Sequence, residues 1–245
     1  MKTAVVTGAS GGIGSAITRR LAADGFAVVA GYNRSAEAAE TLVSELVGDH
    51  HSAQRIAVLE ADSLDALNET VADSFGHLDV LVNCAGMSRP VAHDDLNGLD
   101  DDLIDEIFAT NWRGSFAAVR ALRPLLDKGE NPVVVNISSV AGVTGQGSNV
   151  AYCASKAALD SMTRSLGRAL APRIRVVSVS PGWVLGEYAM RAPQDVLDSQ
   201  CAETPLGRLA TAGDVASAVS AVVNDLPFTT GSIVSVDGGR PLGTS

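Results

Sequence analysis

The sequence predicts an α/β protein, a doubly wound parallel sheet of about seven strands with helices on both faces, forming one domain over residues 1–245. Three observations predict it. Short β-branched runs alternate with longer amphipathic stretches from one end of the chain to the other. Each run is apolar throughout rather than alternating, as strands buried on both faces of a parallel sheet are. A glycine-rich turn joins the first run directly to the first amphipathic stretch, the tight connection of a βα unit.

Each element follows from its residues. “TAVVT” (3–7) is the first strand and 12–24 the first helix; “FAVVA” (26–30) pairs with 35–47, and “RIAVLE” (55–60) with 63–75. “DVLVN” (79–83) leads into a long helical region around 100–127, “PVVVNIS” (132–138) into 150–170, and “IRVVSVS” (174–180) into 211–224. “SIVSV” (232–236) closes the set. No linker or tandem repeat divides the chain. One segment breaks the rhythm: 183–210, “WVLGEYAMRAPQDVLDSQCAETPLGRLA”, carries Trp183, Tyr188 and Met190 among polar residues and prolines. An insertion at the carboxyl end of a parallel strand is expected to cover a ligand as a lid.

Composition excludes several classes. Hydrophobic residues make up 46% and charged residues 19% of the chain, which is globular composition. The formal net charge of −10 offers no basic field, so neither nucleic acid nor an anionic membrane is an expected partner. No apolar run approaches bilayer length, and the N-terminus lacks the pattern of a signal peptide. Cys84, Cys153 and Cys201 are odd in number and widely spaced, and His50 and His51 have no partner at ligand spacing. The expectation is a cytoplasmic protein without a metal site.

Two stretches carry chemistry. In “TGASGGIG” (7–14), Gly8, Gly12 and Gly14 allow a tight turn, close approach to a phosphate, and close packing of helix on strand. The helix that follows offers free N–H groups and its positive dipole end to a pyrophosphate. In “SNVAYCASKAALD” (148–160), Tyr152 and Lys156 are four apart and share one helix face. Lys156 is one of only three lysines, with Lys2 and Lys128. A free tyrosine titrates near ~10. A neighbouring ammonium favours the phenolate and lowers that value.

TGxxxGxG at 7–14, “NCAG” at 83–86, Asn111, Ser139, Tyr152-x-x-x-Lys156, “PGW” at 181–183 and “VDGG” at 236–239 stand in one order over nearly the whole chain. In that set the sequence resembles the short-chain dehydrogenase/reductase family, and within it the compact branch that includes 3-oxoacyl-acyl-carrier-protein reductases. The resemblance implies a Rossmann-type fold, a nicotinamide cofactor, and interconversion of a ketone and a secondary alcohol.

It also implies roles. Gly8, Ser10, Gly12, Ile13 and Gly14 line the cofactor diphosphate. Asp62 with the backbone of Ser63 meets the adenine, and the two read equally as a helix N-cap pair. Asn83, Ala85 and Gly86 pass the nicotinamide ribose, with Cys84 a packing substitution for the family's commoner Asn. Pro181, Gly182, Trp183 and Val184 meet the nicotinamide; the family's usual Thr after Pro-Gly is missing, which leaves the task to backbone groups of Trp183 and Val184. Asn33, Arg34 and Ser35 replace the acid of NAD-preferring members, and a guanidinium suits a 2′-phosphate, so NADP(H) is the expected cofactor and NAD(H) the alternative. Gly11 stands where many NADP-dependent relatives have a second basic residue.

At the catalytic end the resemblance implies that Ser139, rather than Ser138, holds the substrate carbonyl oxygen. Tyr152 is the acid or base, Lys156 supports it and binds the ribose, and Asn111 holds a water joining Lys156 to solvent. Relatives dock acyl carrier protein on basic residues near the active-site mouth. This chain has Glu130 at one such position, and its stretch 171–176, one residue shorter than is usual in those relatives, carries Arg173 and Arg175. The apolar residues of 183–190 suit an apolar carbonyl. A homotetramer through the helices around 100–127 and 150–170 is implied, and a non-catalytic cofactor-binding sensor or scaffold is the alternative function.

Overall fold

The structure is a computed structural model that describes residues 1–186, 189–191 and 193–240. Its elements run β1 Thr3–Thr7, α1 Gly12–Ala23, β2 Ala27–Tyr32, α2 Ala36–Ser44, β3 Ser52–Arg55, α3 Ala61–Phe75 and β4 Val80–Asn83. Next come α4 Asp101–Phe108, a π-helical turn Ala109–Gly114, α5 Ser115–Leu126, β5 Val133–Ile137, the short α6 Ala141–Thr144, α7 Val150–Ala169 and β6 Arg175–Pro181. β7 Val184–Leu185, a 3₁₀ turn Ala189–Arg191, α8 Gln194–Ala202, β8 Ala210–Thr211, α9 Ala212–Asn224 and β9 Ile233–Val236 complete the described chain.

Seven strands form one sheet in the order β3-β2-β1-β4-β5-β6-β9, and every pair in it is parallel. The chain winds outward from β1 in one direction and then from β4 in the other. All carboxyl strand ends therefore share one edge, with the switch between β1 and β4.

The period of two along each strand divides the core. Val6, Val28, Val82, Val135 and Val179 face Ile17, Leu21, Val215 and Val219 on one side. Val5, Val29, Leu81, Val134 and Val176 face Leu64, Leu67, Leu122 and Leu126 on the other. Both faces being covered explains why the strands read as continuous apolar runs. Each fully buried Leu or Ile contributes about 1.5–3 kcal/mol through area removed from water.

The third strand lies earlier than its apolar run predicts. β3 is Ser52–Arg55, an edge strand with half-buried residues, whereas Ile56, Ala57 and Val58 are buried in the loop beyond it. That loop tucks under the sheet, and Ile56 and Val58 join the second core. Burial here comes from tertiary packing of a loop, so the run mimics a strand. The expected N-cap pair is also displaced: α3 starts at Ala61 with Glu60 at the cap position. The Ser63 hydroxyl faces back into that loop, accepting from Ala57 N at 2.9 Å and donating to Arg55 O at 3.3 Å.

The 183–210 insertion stands off the sheet. β7 and β8 pair as a separate two-stranded ribbon, and α8 has no buried residue. Leu185, Met190 and Leu206 are exposed, and Tyr188 lies outside the described residues.

Candidate active site

At the switch between β1 and β4, the glycine turn is fixed by contacts of backbone on backbone. Thr7 Oγ1 accepts from both Cys84 N and Ala85 N at 3.0 Å, which joins the turn to the loop after β4. Gly8 has φ +67°, and a Cβ there would lie 2.9 Å from Ala85 Cα. A Cβ on Gly14 would lie 2.2 Å from Gly8 O, so helix and turn touch where that side chain would be.

Gly12 is different, because nothing lies within 4 Å of its would-be Cβ. Gly11, at the cap position of α1, provides no side-chain cap for the first-turn N–H groups. Open space over uncapped amides fits a diphosphate, which Gly12, Ile13 and Gly14 would hold through their backbone. Ser10 and Ser15 line a neighbouring cavity of 390 Å³ between α1 and α2 with Arg19 and Glu37.

Other expected cofactor residues divide. Asn33, Arg34 and Ser35 are all exposed at the end of β2, and Arg34 has no ion pair among the described residues. Asp62 is exposed in the first turn of α3, and the residues that follow β3 directly are 56–59. Asn83 is tied into the sheet through its side chain. Its side chain is buried and donates to Asn136 Oδ1 at 2.9 Å and Ser115 O at 3.4 Å, so it ties β4 to β5 rather than facing the groove.

Gly182 N donates to Val236 O at 3.0 Å and Val140 N to Pro181 O at 3.0 Å, which packs “PGW” against “VDGG”. Trp183 O accepts from Ala210 N at 3.0 Å, so that carbonyl already serves the β7–β8 ribbon. The backbone expected to meet the nicotinamide is thus partly engaged.

Around α7 the remaining residues converge. Lys156 is 6% exposed; its Nζ donates to Ile137 O at 2.8 Å and stands 5.7 Å from the Tyr152 ring centroid. Burial lowers its pKa to about 8, against the opposing pull of Cys84 and Asp160. Cys84 is half-buried and packs against the core; burial pushes its thiol up to about 11, which is structural rather than reactive behaviour. A Cβ on Gly86 would be 3.3 Å from Asn111 Oδ1 and 3.8 Å from Lys156 Nζ, so the glycine brings the loop against both groups.

Asn111 sits in the π-helical turn, where one extra residue per turn aims its side chain inward. It is 1% exposed and donates to Ser155 Oγ at 3.0 Å. Ser155 Oγ donates in turn to Tyr152 O at 2.8 Å. The two serines after β5 separate by burial. Ser138 is buried and donates to Lys156 O at 3.4 Å, whereas Ser139 is half-buried at the strand's end and accepts from Ala141 N at 3.2 Å.

Sequence reasoning missed Asn149. Fully buried at the cap position of α7, it accepts from Tyr152 N at 2.7 Å through Oδ1 and donates to Arg89 O at 2.8 Å through Nδ2. It sets where Tyr152 begins its turn. An Asn three residues before Tyr152, at the start of a helix, is the signal that identifies such a cap.

The positions named for carrier docking lie apart from these groups. Glu130 precedes β5, and its N–H is bound by Asp79, so it lies at the opposite end of that strand from Ser139. Arg173 donates to Asp127 O and Gly129 O at that same far edge, and Arg175 donates to carbonyls at the end of α9, among them Val222 O and Leu226 O. None of the three borders Ser139, Tyr152 or Lys156 of its own chain.

A doubly wound sheet with an uncapped glycine turn at one point of its carboxyl edge and a half-buried Tyr152 over a buried Lys156 beyond it defines a nicotinamide-dependent oxidoreductase. Comparison with known proteins gives the family. The short chain dehydrogenase family matches residues 2–196. The 3-oxoacyl-acyl-carrier-protein reductase FabG of Staphylococcus aureus is 33% identical over 242 residues, covering 97% of each chain. A protein of Streptomyces violaceoruber described as ketoacyl reductase 2 of the granaticin polyketide synthase is 35% identical over 241 residues, covering 98% of this chain and 96% of its own. A crystal structure from Burkholderia xenovorans, described as a short-chain dehydrogenase/reductase, superposes with a TM-score of 0.91 at 30% identity and 99% coverage of both chains. The chain belongs to the short-chain dehydrogenase/reductase family and is an oxidoreductase acting between ketone and alcohol.

Proposed function

We propose that the protein interconverts an apolar ketone and its secondary alcohol with NADP(H), a 3-oxoacyl thioester being the substrate class that the names of its relatives support. The observation that carries the chemistry is the buried Lys156 ammonium, anchored on Ile137 O beside the Tyr152 ring. When bound, the nicotinamide supplies or takes up the hydride. For reduction, the Ser139 hydroxyl donates to the carbonyl oxygen, and Tyr152 passes its phenolic proton to that oxygen. Lys156 stabilises the phenolate left behind, and Asn111 holds the wall along which a water joins Lys156 to solvent. Oxidation reverses the proton path.

Preference for NADP(H) rests on Arg34, an exposed guanidinium without an ion pair among the described residues, and on the absence of an acid at 33–35. A 2′-phosphate gains a forked partner there and meets no carboxylate. The apolar substrate is supported by Val143, Val150, Leu185 and Met190, all exposed on the segments that flank the catalytic groups. Because Glu130, Arg173 and Arg175 lie at the far edge, an acyl chain on a small thiol is expected to serve as well as one on the carrier. A homotetramer in the cytoplasm completes the proposal; Trp112, exposed and stacked on Phe116 at 5.9 Å, supports helix packing between copies.

The test is oxidation of NADPH and NADH with a ketone panel that includes 3-oxoacyl thioesters on carrier and on a small thiol, with Tyr152→Phe alongside. NADPH oxidation that the variant loses is expected. Faster turnover with NADH overturns the Arg34 reading, and cofactor binding without turnover on any ketone overturns the reaction.

A further inference from the structure

Behind the catalytic lysine a buried polar layer crosses the sheet. Asn83 Nδ2 donates to Asn136 Oδ1 at 2.9 Å, Asn136 Nδ2 to Thr163 Oγ1 at 2.8 Å, and Thr163 and Ser178 share a hydroxyl bond at 2.8 Å. Four elements, β4, β5, α7 and β6, each contribute one member. Asp160 stands against this layer. It is 2% exposed, and both of its carboxyl oxygens are buried without a hydrogen-bond partner. The nearby hydroxyls of Ser138 and Ser178 are turned to Lys156 O and to Thr163.

A carboxyl group in this position is costly, and its neighbours on α7, Leu159 and Met162, show that an apolar side chain fits the surroundings. What distinguishes the position is its place on the helix. Asp160 lies four residues beyond Lys156, which lies four beyond Tyr152, so the three occupy one face. Lys156 Nζ is turned to Ile137 O, so Asp160 acts on it through space rather than as a contact ion pair.

We propose that Asp160 is a positioning residue of the reaction, the buried counter-charge that keeps Lys156 protonated and thereby keeps Tyr152 competent as proton donor. The inference rests on the oxidoreductase reading of the Tyr152–Lys156 pair. The other titratable groups around the lysine do not fill this role. Cys84, from the loop after β4, stays a neutral thiol up to about 11. Tyr152 is the group being served, and Arg164, exposed one turn further along α7, is a cation. Asn111 from the π-helical turn, Ser138 from β5 and Ser178 from β6 carry no charge. Desolvation raises the Asp160 pKa, while the charges of Arg164 and Lys156 pull it back, so ionisation of the carboxyl group depends in part on the lysine that it supports.

The chain's three lysines make a direct test practicable. Lysine labelled with ¹³C at Cε gives three resonances in the cofactor-free protein, and Lys156→Met assigns the one of interest. Asp160→Asn, nearly isosteric, is expected to lower the Lys156 midpoint by at least about half a pH unit while Lys2 and Lys128 stay in place. An unchanged or raised Lys156 midpoint overturns the proposal. Should Asp160→Asn fail to fold by circular dichroism, Asp160→Leu removes the same charge with a side chain of the kind that its neighbours Leu159 and Met162 carry. It is expected to shift the midpoint the same way, and no shift overturns the proposal equally.

In turnover, the alkaline limb of the kcat/KM profile is expected to move to lower pH by the same amount. A merely structural role lowers the profile at every pH without moving the limb, and that result also overturns it. Since the resonance needs neither cofactor nor ketone, failure of wild-type turnover defeats the oxidoreductase reading separately, and the lysine midpoint still decides the role of Asp160.

Discussion

The Asn111 side-chain amide pairs with the main chain of Met87 in both directions, accepting from Met87 N at 2.8 Å and donating to Met87 O at 3.1 Å. The pair ties the π-helical turn to the loop that passes Lys156. Asn111→Leu removes these bonds and the one to Ser155. It is expected to lower stability by about 2–3 kcal/mol in urea unfolding, because Met87 N and O are left without their partner, and to lower kcat with it. Stability and kcat equal to wild type would show that the amide is not the link.

Burial divides the two serines after β5, and their substitutions should divide likewise. Ser139→Ala is expected to lower kcat by about 10²–10³, the cost of losing one donor to a developing oxyanion. Ser138→Ala, which removes a long bond to Lys156 O, is expected to keep kcat within about tenfold of wild type at neutral pH. Steady-state rates of the two variants with one ketone check this, and the reverse order refutes the assignment.

Lys156 links activity and stability with opposite signs. Its pKa in the fold is about 8, below the ordinary 10.5, so the folded state binds fewer protons than the unfolded between these values. Stability should therefore rise as pH increases from about 8 to 10.5, while reductase activity falls through about 8 as the ammonium is lost. Lys156→Met is expected to abolish turnover and to remove this rise of stability between about 8 and 10.5. Parallel denaturation and rate measurements over pH test both signs.

At the cofactor end, Gly14→Ala forces a Cβ to within 2.2 Å of Gly8 O. Overpacking of backbone against backbone is expected to cost about 1–3 kcal/mol and to weaken dinucleotide binding at least tenfold. Gly12→Ala, whose Cβ meets nothing in the protein, should cost little stability and still weaken binding if the open space is the diphosphate's. Titration of intrinsic fluorescence with NADPH separates the two.

Helix α9 begins with a reciprocal cap: Asp214 N donates to Thr211 Oγ1 at 3.2 Å and Thr211 N to Asp214 Oδ2 at 2.7 Å. Thr211→Ala is expected to cost about 1 kcal/mol in urea unfolding. Arg208, bonded to both Asp214 oxygens, holds that carboxyl below its usual range, with Thr211 adding to the effect. The contribution of Asp214 is thus present above 3.8, the ordinary carboxylate value, and is lost as pH falls below it. An acid titration of Tm in which Asp214→Asn removes that low-pH step supports the assignment.

By itself the sequence determined the α/β class, the strands of the main sheet other than β3, the glycine turn and the Tyr152–Lys156 pair. These are legible because they depend on near neighbours: apolar runs, a period of 3.6, glycines within eight residues, and two side chains one helical turn apart. Only the tertiary structure decided the rest. Whether Ile56–Val58 is strand or buried loop depends on what packs over it, and the different burial of Ser138 and Ser139 depends on what closes over the end of β5. Where the Asn83 amide points is set by its partner Asn136, 53 residues away in sequence. Asp160 reads as an ordinary helix-surface acid, because a linear pattern records the spacing of side chains on one helix but not the strands that close over it and remove its water.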